Sequence, residues 1–201
     1  MTTSHTFESL ATSSLADLET LLQQGHAPSF ADVAGWEWRG WNVLAPIAKP
    51  VAGIMGIQRF AKGFFTRGPL ERVGETAYIE GYNIKIGRGG LKDEWTHLGG
   101  GPAHRFAYYK VFKPGDELER RAGKYPKALF LDYRQGDPPN GLFTGKGLRD
   151  YVVKISDDLI IGRALFTLGP LTVDGGVFVT ERWRKADFAP PASTQATARA
   201  A

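Results

Sequence analysis

Two aspartates are the residues of this sequence best suited to acid–base chemistry. Asp132 and Asp150 each precede a tyrosine within an apolar segment. A carboxyl group buried in such a segment has a raised pKa, which suits it to proton transfer. In the alternative interpretation each carboxylate is structural and pairs with an arginine, for which the sequence offers Arg149, Arg163 and Arg182. We favour the ion pairs and keep Asp132 and Asp150 as candidate catalytic residues.

Other catalytic and metal-binding patterns are missing from the sequence. It has no cysteine, which excludes disulfides, thiolate nucleophiles and thiolate metal sites. No serine lies in a Gly-x-Ser-x-Gly motif. His97 and His104 span a triple-glycine loop rather than a tight ligand spacing. The glycine-rich segments 87–90 and 99–101 do not lead into a helix with a phosphate-binding lysine, so they indicate turns. We therefore expect no metal and no cofactor, and we lean against an enzyme.

Aromatic residues make up 12% of the chain, which has only two methionines. This composition favours a rigid interior, and tyrosines offer a ligand both an apolar ring and a hydroxyl group. The aromatic residues could line a ligand cavity or fill the core. The predicted ligand-binding residues are Trp36, Trp38, Phe60, Phe64, Tyr78, Tyr82, Tyr108, Phe130 and Arg182.

The segments that would position these residues are mostly β-strands. Alternation places Trp36 and Trp38 on one face of a strand and Trp41 on the other. About seven or eight strands joined by short turns predict an up-and-down antiparallel sheet, and closure into a barrel removes its exposed edges. An eight-stranded barrel has room for side chains alone or for one small ligand.

Two helices are predicted near the beginning of the chain. Leucines at helical spacing predict a helix over about 14–24, and apolar residues at spacings of three and four predict a second over about 51–62. We expect residues 1–13 to form a flexible leader and 14–188 a single β-barrel domain. Residues 189–201, rich in Ala, Ser, Thr and Pro, are expected to form a disordered tail.

Composition and charge exclude several classes of protein. The chain has 201 residues, of which 42% are hydrophobic and 23% charged, as is ordinary for a globular domain. The net charge is +4, but basic residues are interleaved with acidic ones, so we expect no nucleic-acid partner. The sequence has neither a secretory signal nor an apolar run of ~20 residues that could span a membrane. We expect a cytoplasmic protein, and the sequence carries no signal for an oligomeric state.

An early glycine and tryptophan, combined with a late arginine, resembles the calycin arrangement of lipocalins and fatty-acid-binding proteins. The matching residues are Gly35, Trp38 and Arg182. The resemblance implies a barrel preceded by a short helix, in which the arginine packs over the indole and closes one end. The predicted fold class is therefore mainly β: an antiparallel, calycin-like (lipocalin-like) barrel with one or two N-terminal helices.

Several segments are also similar to a bacterial family that pairs a GXWXG domain with a following domain of unknown function. Residues 38–40 (Trp-Arg-Gly) match the second half of the GXWXG signature, and 62–64 (Lys-Gly-Phe) resemble a later segment of the family. Residues 147–162 are similar to its carboxy-terminal strand pair, and 177–182 to its closing strand. This resemblance implies the fold rather than an activity.

The leading functional hypothesis is the binding of a small apolar or amphipathic molecule in the barrel. Trp38 and Arg182 would be structural at the closed end, and the pocket would be surrounded by Phe60, Phe64, Tyr82 and Tyr108. A barrel centre filled by side chains, with no internal cavity, would remove this hypothesis. One alternative is an enzyme of the isomerase or cyclase type that uses a buried aspartate as acid or base. Another is a structural or partner-binding protein whose contact surface is the apolar face of the helix predicted at 51–62.

Overall fold

The protein folds as a closed antiparallel barrel of eight strands. The computed structural model describes residues 5–44, 57–100, 102–115, 125–141, 145–168, 171–186 and 188. Each strand pairs with the next one in the chain, and the last pairs with the first. The strands are β1 (Trp36–Val43), β2 (Arg59–Phe65), β3 (Tyr78–Lys85), β4 (Arg105–Phe112), β5 (Leu129–Asp132), β6 (Leu148–Lys154), β7 (Leu159–Leu168) and β8 (Leu171–Lys185). The predicted fold class, a mainly β and calycin-like barrel, is confirmed.

Short α-helices precede the barrel in the described part of the chain: α1 (Phe7–Ala11), α2 (Leu15–Gln24) and α3 (Phe30–Val33). The helix predicted over about 14–24 is present as α2. The Ser14 hydroxyl oxygen accepts a hydrogen bond from the backbone N–H of Asp17, which caps the helix. Leu18 and Leu22 are buried where α2 packs on the outside of β7 and β8.

The flexible leader predicted for residues 1–13 is wrong from Phe7 onward, because this segment forms α1 and packs on the barrel. Phe7 and Leu10 are each 1% exposed. A short helix with three buried residues, Phe7, Leu10 and Ala11, anchors the segment, yet it is too short to produce a periodic pattern in the sequence. The tail predicted from residue 189 onward lies outside the described residues.

The second helix, predicted over about 51–62, is wrong from Arg59 onward, because Arg59–Phe65 forms β2. Phe60 and Phe64 are four residues apart, which fits one face of a helix and equally one face of a strand. Residues 51–56 lie outside the described residues. The partner-binding hypothesis therefore loses residues 59–62 of its proposed helical surface.

Both faces of the barrel wall are apolar. The inward-facing side chains form one buried cluster with Phe30 and Val33 of α3, which cover the end where β1 begins. We call this end the α3 end, and the opposite end, where β1 ends and β2 begins, the far end. The outward-facing side chains form a second cluster, which α1 and α2 cover. As predicted, Trp36 and Trp38 join the inner cluster and Trp41 the outer one.

Arg182 closes the α3 end as the calycin resemblance implies. Its guanidinium carbon lies 5.3 Å from the centroid of the Trp38 ring. Its Nη2 donates hydrogen bonds to the backbone carbonyl oxygens of Asp32, at 3.2 Å, and Asp157, at 2.6 Å. Gly35 precedes β1 with a φ of +77°, a left-handed conformation that glycine adopts without strain. The chain can therefore turn sharply from α3 into β1.

Candidate functional site

A polar cluster lies inside the barrel among apolar side chains. Four separate elements contribute to it: Lys62 lies in β2, Asn83 in β3, Asp150 in β6, and Tyr133 in a 3-10 turn that follows β5. All four residues are at most 6% exposed. Lys62 and Asn83 are cross-strand partners in the β2–β3 ladder. Closure of the barrel brings Asp150 and Tyr133 to the same point, although they lie far from Lys62 in the sequence.

The ammonium group of Lys62 uses its three N–H donors within this cluster. Its Nζ lies 2.6 Å from Tyr133 Oη, 2.8 Å from Asp150 Oδ2 and 3.0 Å from Asn83 Oδ1. The Tyr133 hydroxyl donates to Asp150 Oδ2 at 2.7 Å. The Asn83 amide nitrogen donates to Tyr133 Oη at 3.3 Å. This arrangement leaves Lys62 without an N–H group for a further acceptor.

Asp150 differs from the other three residues because one of its carboxylate oxygens is unpaired. Oδ2 accepts from both Lys62 and Tyr133. Oδ1 is buried and has no hydrogen-bond partner among the described residues. A buried acceptor left unpaired costs about 1–3 kcal/mol, and more when it is charged. The cluster can therefore take one additional hydrogen-bond donor, and it can take it at Asp150 Oδ1.

Aromatic rings surround the ammonium group of Lys62. Its Nζ lies between 5.0 and 5.5 Å from the ring centroids of Phe60, Tyr109, Tyr133 and Phe178. Wall glycines make room for three of these rings. An added Cβ would lie 2.4 Å from Phe60 at Gly40, 2.3 Å from Tyr109 at Gly81 and 2.2 Å from Phe178 at Gly162. The barrel interior around Lys62 is therefore filled by side chains. This packing argues against a preformed cavity at that point.

Among the described residues, inward-facing side chains at the far end are less completely buried than those at the barrel centre. The inward-facing residues there are half-buried: Phe60, Phe106, Leu148 and Ala164. Phe60 lies two residues before Lys62 in β2, and its ring packs edge-on against Phe178 with centroids 5.7 Å apart. The Phe60 ring therefore stands between the polar cluster and the far end.

Burial governs the protonation of the cluster. It lowers the pKa of Lys62 below its ordinary value, and the charge and hydrogen bond of Asp150 offset part of that effect. Burial raises the pKa of Tyr133 well above its ordinary value, and the nearby Asp150 charge raises it further. The pKa of Tyr109 is raised for the same two reasons. Both hydroxyl groups therefore stay protonated at neutral pH and act as hydrogen-bond donors.

Asp132, the other candidate acid, lies outside this cluster. Its Oδ1 is 3.1 Å from Arg134 Nε and 3.5 Å from Arg149 Nη1, and its Oδ2 accepts from Gln135 at 3.0 Å. Burial alone would raise the pKa of Asp132, but the hydrogen bonds from Arg134 and Gln135 lower it. Asp132 thus has the arginine-paired environment that we favoured from the sequence. Asp150 pairs with a lysine instead.

The structure divides the predicted ligand-binding residues between the two faces of the wall. Those that belong to the inner face are Trp36, Trp38, Phe60, Phe64 and Arg182. Those that pack in the outer cluster are Tyr82, Tyr108 and Phe130, while Tyr78 is 40% exposed. The expectation that Tyr82 and Tyr108 surround an internal pocket is therefore wrong. Their face of the sheet is apolar because other segments of the chain pack on it. The ring centroids of Tyr82 and Phe188, for example, lie 5.1 Å apart.

Tyr82 has its own polar partner on the outer face. Its hydroxyl donates to Oε1 of the buried Glu37 at 3.0 Å, and Arg184 Nε donates to Glu37 Oε2 at 2.7 Å. Burial, followed by the Glu37 charge, raises the pKa of Tyr82. These contacts tie β1, β3 and β8 together. They account for the position of Tyr82 without a ligand.

A surface cavity of about 260 Å³ lies at the α3 end, lined by residues 66–68 and 76–80. Its charged groups are already paired: Arg67 Nε donates to Glu80 Oε2 at 2.5 Å, and Arg67 Nη2 donates to Asp137 at 2.9 Å. This cavity is separate from the polar cluster inside the barrel.

Sequence reasoning missed three members of the cluster, namely Lys62, Asn83 and Tyr133. The signal that could have found Lys62 is its position between Phe60 and Phe64. Once this segment is understood as a strand, the lysine shares their inward face. A charged residue at an inward position of an apolar strand requires a buried partner.

Within the described ranges, no group of three or more His, Asp or Glu side chains could hold a metal ion. No helix in that part of the chain is long and apolar enough to cross a membrane. Comparisons of the chain with protein-family models, with curated proteins and with solved structures found no match. The resemblance to the GXWXG family therefore stays a prediction, and function has to be argued from the site itself.

Proposed function

We propose that this protein binds a small amphipathic molecule inside its barrel. The polar end of the molecule would lie at the Lys62–Asp150 cluster, and its apolar part would extend toward the far end. Apolar surroundings with a few convergent polar groups are typical of small-molecule sites. The half-buried inward-facing residues that would contact the apolar part are Phe60, Phe106, Leu148 and Ala164.

The observation that carries this proposal is the unpaired Oδ1 atom of Asp150. A buried ion pair adds little net stability, because the cost of desolvating both charges offsets their attraction. A cluster that also leaves a carboxylate oxygen unpaired is a poor way to stabilise a barrel. A ligand that donates a hydrogen bond to this oxygen would remove the penalty, and the cluster would then contribute to binding.

Entry of a ligand requires Phe60 to move, because its ring fills the space on the far-end side of Lys62. Phe60 is half-buried, whereas the ring partner Phe178 is 2% exposed. Rotation of Phe60 toward solvent would open the interior and leave Phe178 in place. Because side chains fill the space around Lys62, the proposal differs from the sequence-based hypothesis of a ready-made central cavity. It requires the site to form by side-chain movement when the ligand binds.

Native mass spectrometry of the protein purified from its own host tests the proposal. We expect a bound molecule of constant mass that is lost on denaturation. Ala164→Trp adds an indole to the inward face of the far end and should abolish this mass. Leu70→Trp adds the same indole between β2 and β3 at the α3 end, where the side chain is 52% exposed, and it should retain the bound molecule. An empty wild-type protein, or equal occupancy of both variants, would contradict the proposal.

Acid–base catalysis at Asp150 is a second candidate function, and a specific contact favours it over catalysis at Asp132. The Asp150 carboxylate lies 2.7 Å from the Tyr133 hydroxyl and 2.8 Å from Lys62 Nζ, so a proton could pass among three buried groups. Incubation of the wild type with the co-purified molecule should then yield a product of altered or isomeric structure. Turnover that persists in Asp150→Asn would exclude this function.

A further inference from the structure

We infer that the ligand presents a neutral hydrogen-bond donor, a hydroxyl group, to Asp150 Oδ1, and that a carboxylate is disfavoured at this position. The inference rests on the proposed function, because it names the head group of a molecule bound at the same cluster. Two properties of the cluster support the inference. One is which of its polar atoms already have hydrogen-bond partners, and the other is its net charge.

The cluster offers a ligand a hydrogen-bond acceptor, and it has no ammonium proton left to offer. Lys62 directs its three donors to Asn83, Tyr133 and Asp150. The Tyr133 proton is directed to Asp150 Oδ2. Asp150 Oδ1 has no partner among the described residues, and it can only accept. A hydroxyl group matches this oxygen because it carries a proton to donate.

The charge of a ligand carboxylate makes it a poorer head group than a hydroxyl at this site. Lys62 and Asp150 form a neutral pair at 2.8 Å, with side chains only 3% and 2% exposed. A ligand carboxylate beside Oδ1 would add a second negative charge that no free cationic group of the cluster compensates. Like charges this close in a buried site disfavour ionisation of both. An ether would avoid the repulsion, but it would leave Oδ1 unpaired because it has no proton to donate.

Isothermal titration of the full chain with three probes of similar length tests the head group. The probes are 1-octanol, heptyl methyl ether and octanoate. We expect 1-octanol to bind at least tenfold more tightly than either of the others, which corresponds to ~1.4 kcal/mol. The double variant Lys62→Met/Asp150→Leu removes the acceptor without leaving a single buried charge, and it should bind 1-octanol and the ether within about twofold of each other. Glu181→Gln, a control on the outer face, should keep the wild-type preference.

The outcomes separate this inference from the proposal on which it rests. Octanoate or the ether binding as tightly as 1-octanol overturns the inference and leaves ligand binding standing. Failure of all three probes to bind, together with an empty protein from the host, overturns both. The wild-type comparison decides the head group by itself if the double variant does not fold.

Discussion

Replacing Asp150 with asparagine tests how strongly the barrel depends on charge pairing at Lys62. The substitution keeps the shape of the side chain and removes its charge. Lys62 then keeps hydrogen-bond acceptors on Asn83 and Tyr133 but loses the carboxylate at 2.8 Å. The ammonium charge is left without its counter-charge at a side chain that is only 3% exposed.

The burial of the pair sets the expected magnitude. Removing one partner of a buried ion pair costs about 3–5 kcal/mol, because the remaining charge stays desolvated. The free energy of unfolding of an ordinary domain is about 5–15 kcal/mol, so Asp150→Asn should remove a large part of the stability of this one. If the free energy of unfolding falls by about 2 kcal/mol per molar urea, the urea concentration at the unfolding midpoint should fall by about 1.5–2.5 M.

Urea unfolding followed by fluorescence is a suitable assay, since the chain has five tryptophans. Glu181→Gln is the matched control, because it breaks the ion pair with Arg39 on the outer face, where the two side chains are 29% and 26% exposed. A pair this exposed contributes about 0–1 kcal/mol. If Asp150→Asn cost no more than Glu181→Gln, the argument for a strongly coupled buried pair would be wrong.

Two further predictions use the same unfolding assay. Because burial lowers the pKa of Lys62 below its ordinary 10.5, the unfolded chain binds more protons between the lowered pKa and 10.5. The stability of the wild type relative to Lys62→Met/Asp150→Leu should therefore rise with pH across that window, by at most ~1.4 kcal/mol per pH unit, and a flat or falling difference would contradict the lowered pKa. Arg182→Lys should cost about 1–3 kcal/mol, because an ammonium group cannot both cover the Trp38 ring and reach the carbonyl oxygens of Asp32 and Asp157. The control is Arg72, whose side chain is 72% exposed in a surface pair with Glu75. Arg72→Lys should cost under about 0.5 kcal/mol, and equal costs would argue against a closing role for Arg182.

The barrel could be predicted from the sequence because its signals are local. Alternation in the strands and glycine or proline in the turns indicate an antiparallel sheet, and the tryptophans of β1 were assigned to the correct faces. The region near β2 misled the prediction, since Phe60 and Phe64 fit a helix and a strand equally well. The one-turn helix α1 was missed because its stabilisation comes from tertiary packing of Phe7 and Leu10.

The candidate site could be predicted only in part because its members meet through strand pairing. Asp150 was identified as a buried acid from its apolar neighbours. Its pairing with Lys62 depends on the strand register of the whole barrel, and short sequence patterns do not reveal that register. Tyr82 was assigned to the interior because it shares an apolar face of β3 with Ile84, while Asn83 and Lys85 lie on the other face. The sequence does not show that the face of Tyr82 packs in the outer cluster.

A crystal structure of the protein purified from its own host would test the central claim most directly, through the surroundings of Asp150 Oδ1. The account predicts Phe60 rotated toward solvent and a hydroxyl group of a bound amphipathic molecule within about 3.0 Å of this oxygen. Phe60 in the packed position, with Oδ1 bonded to water alone or to nothing, would contradict the account.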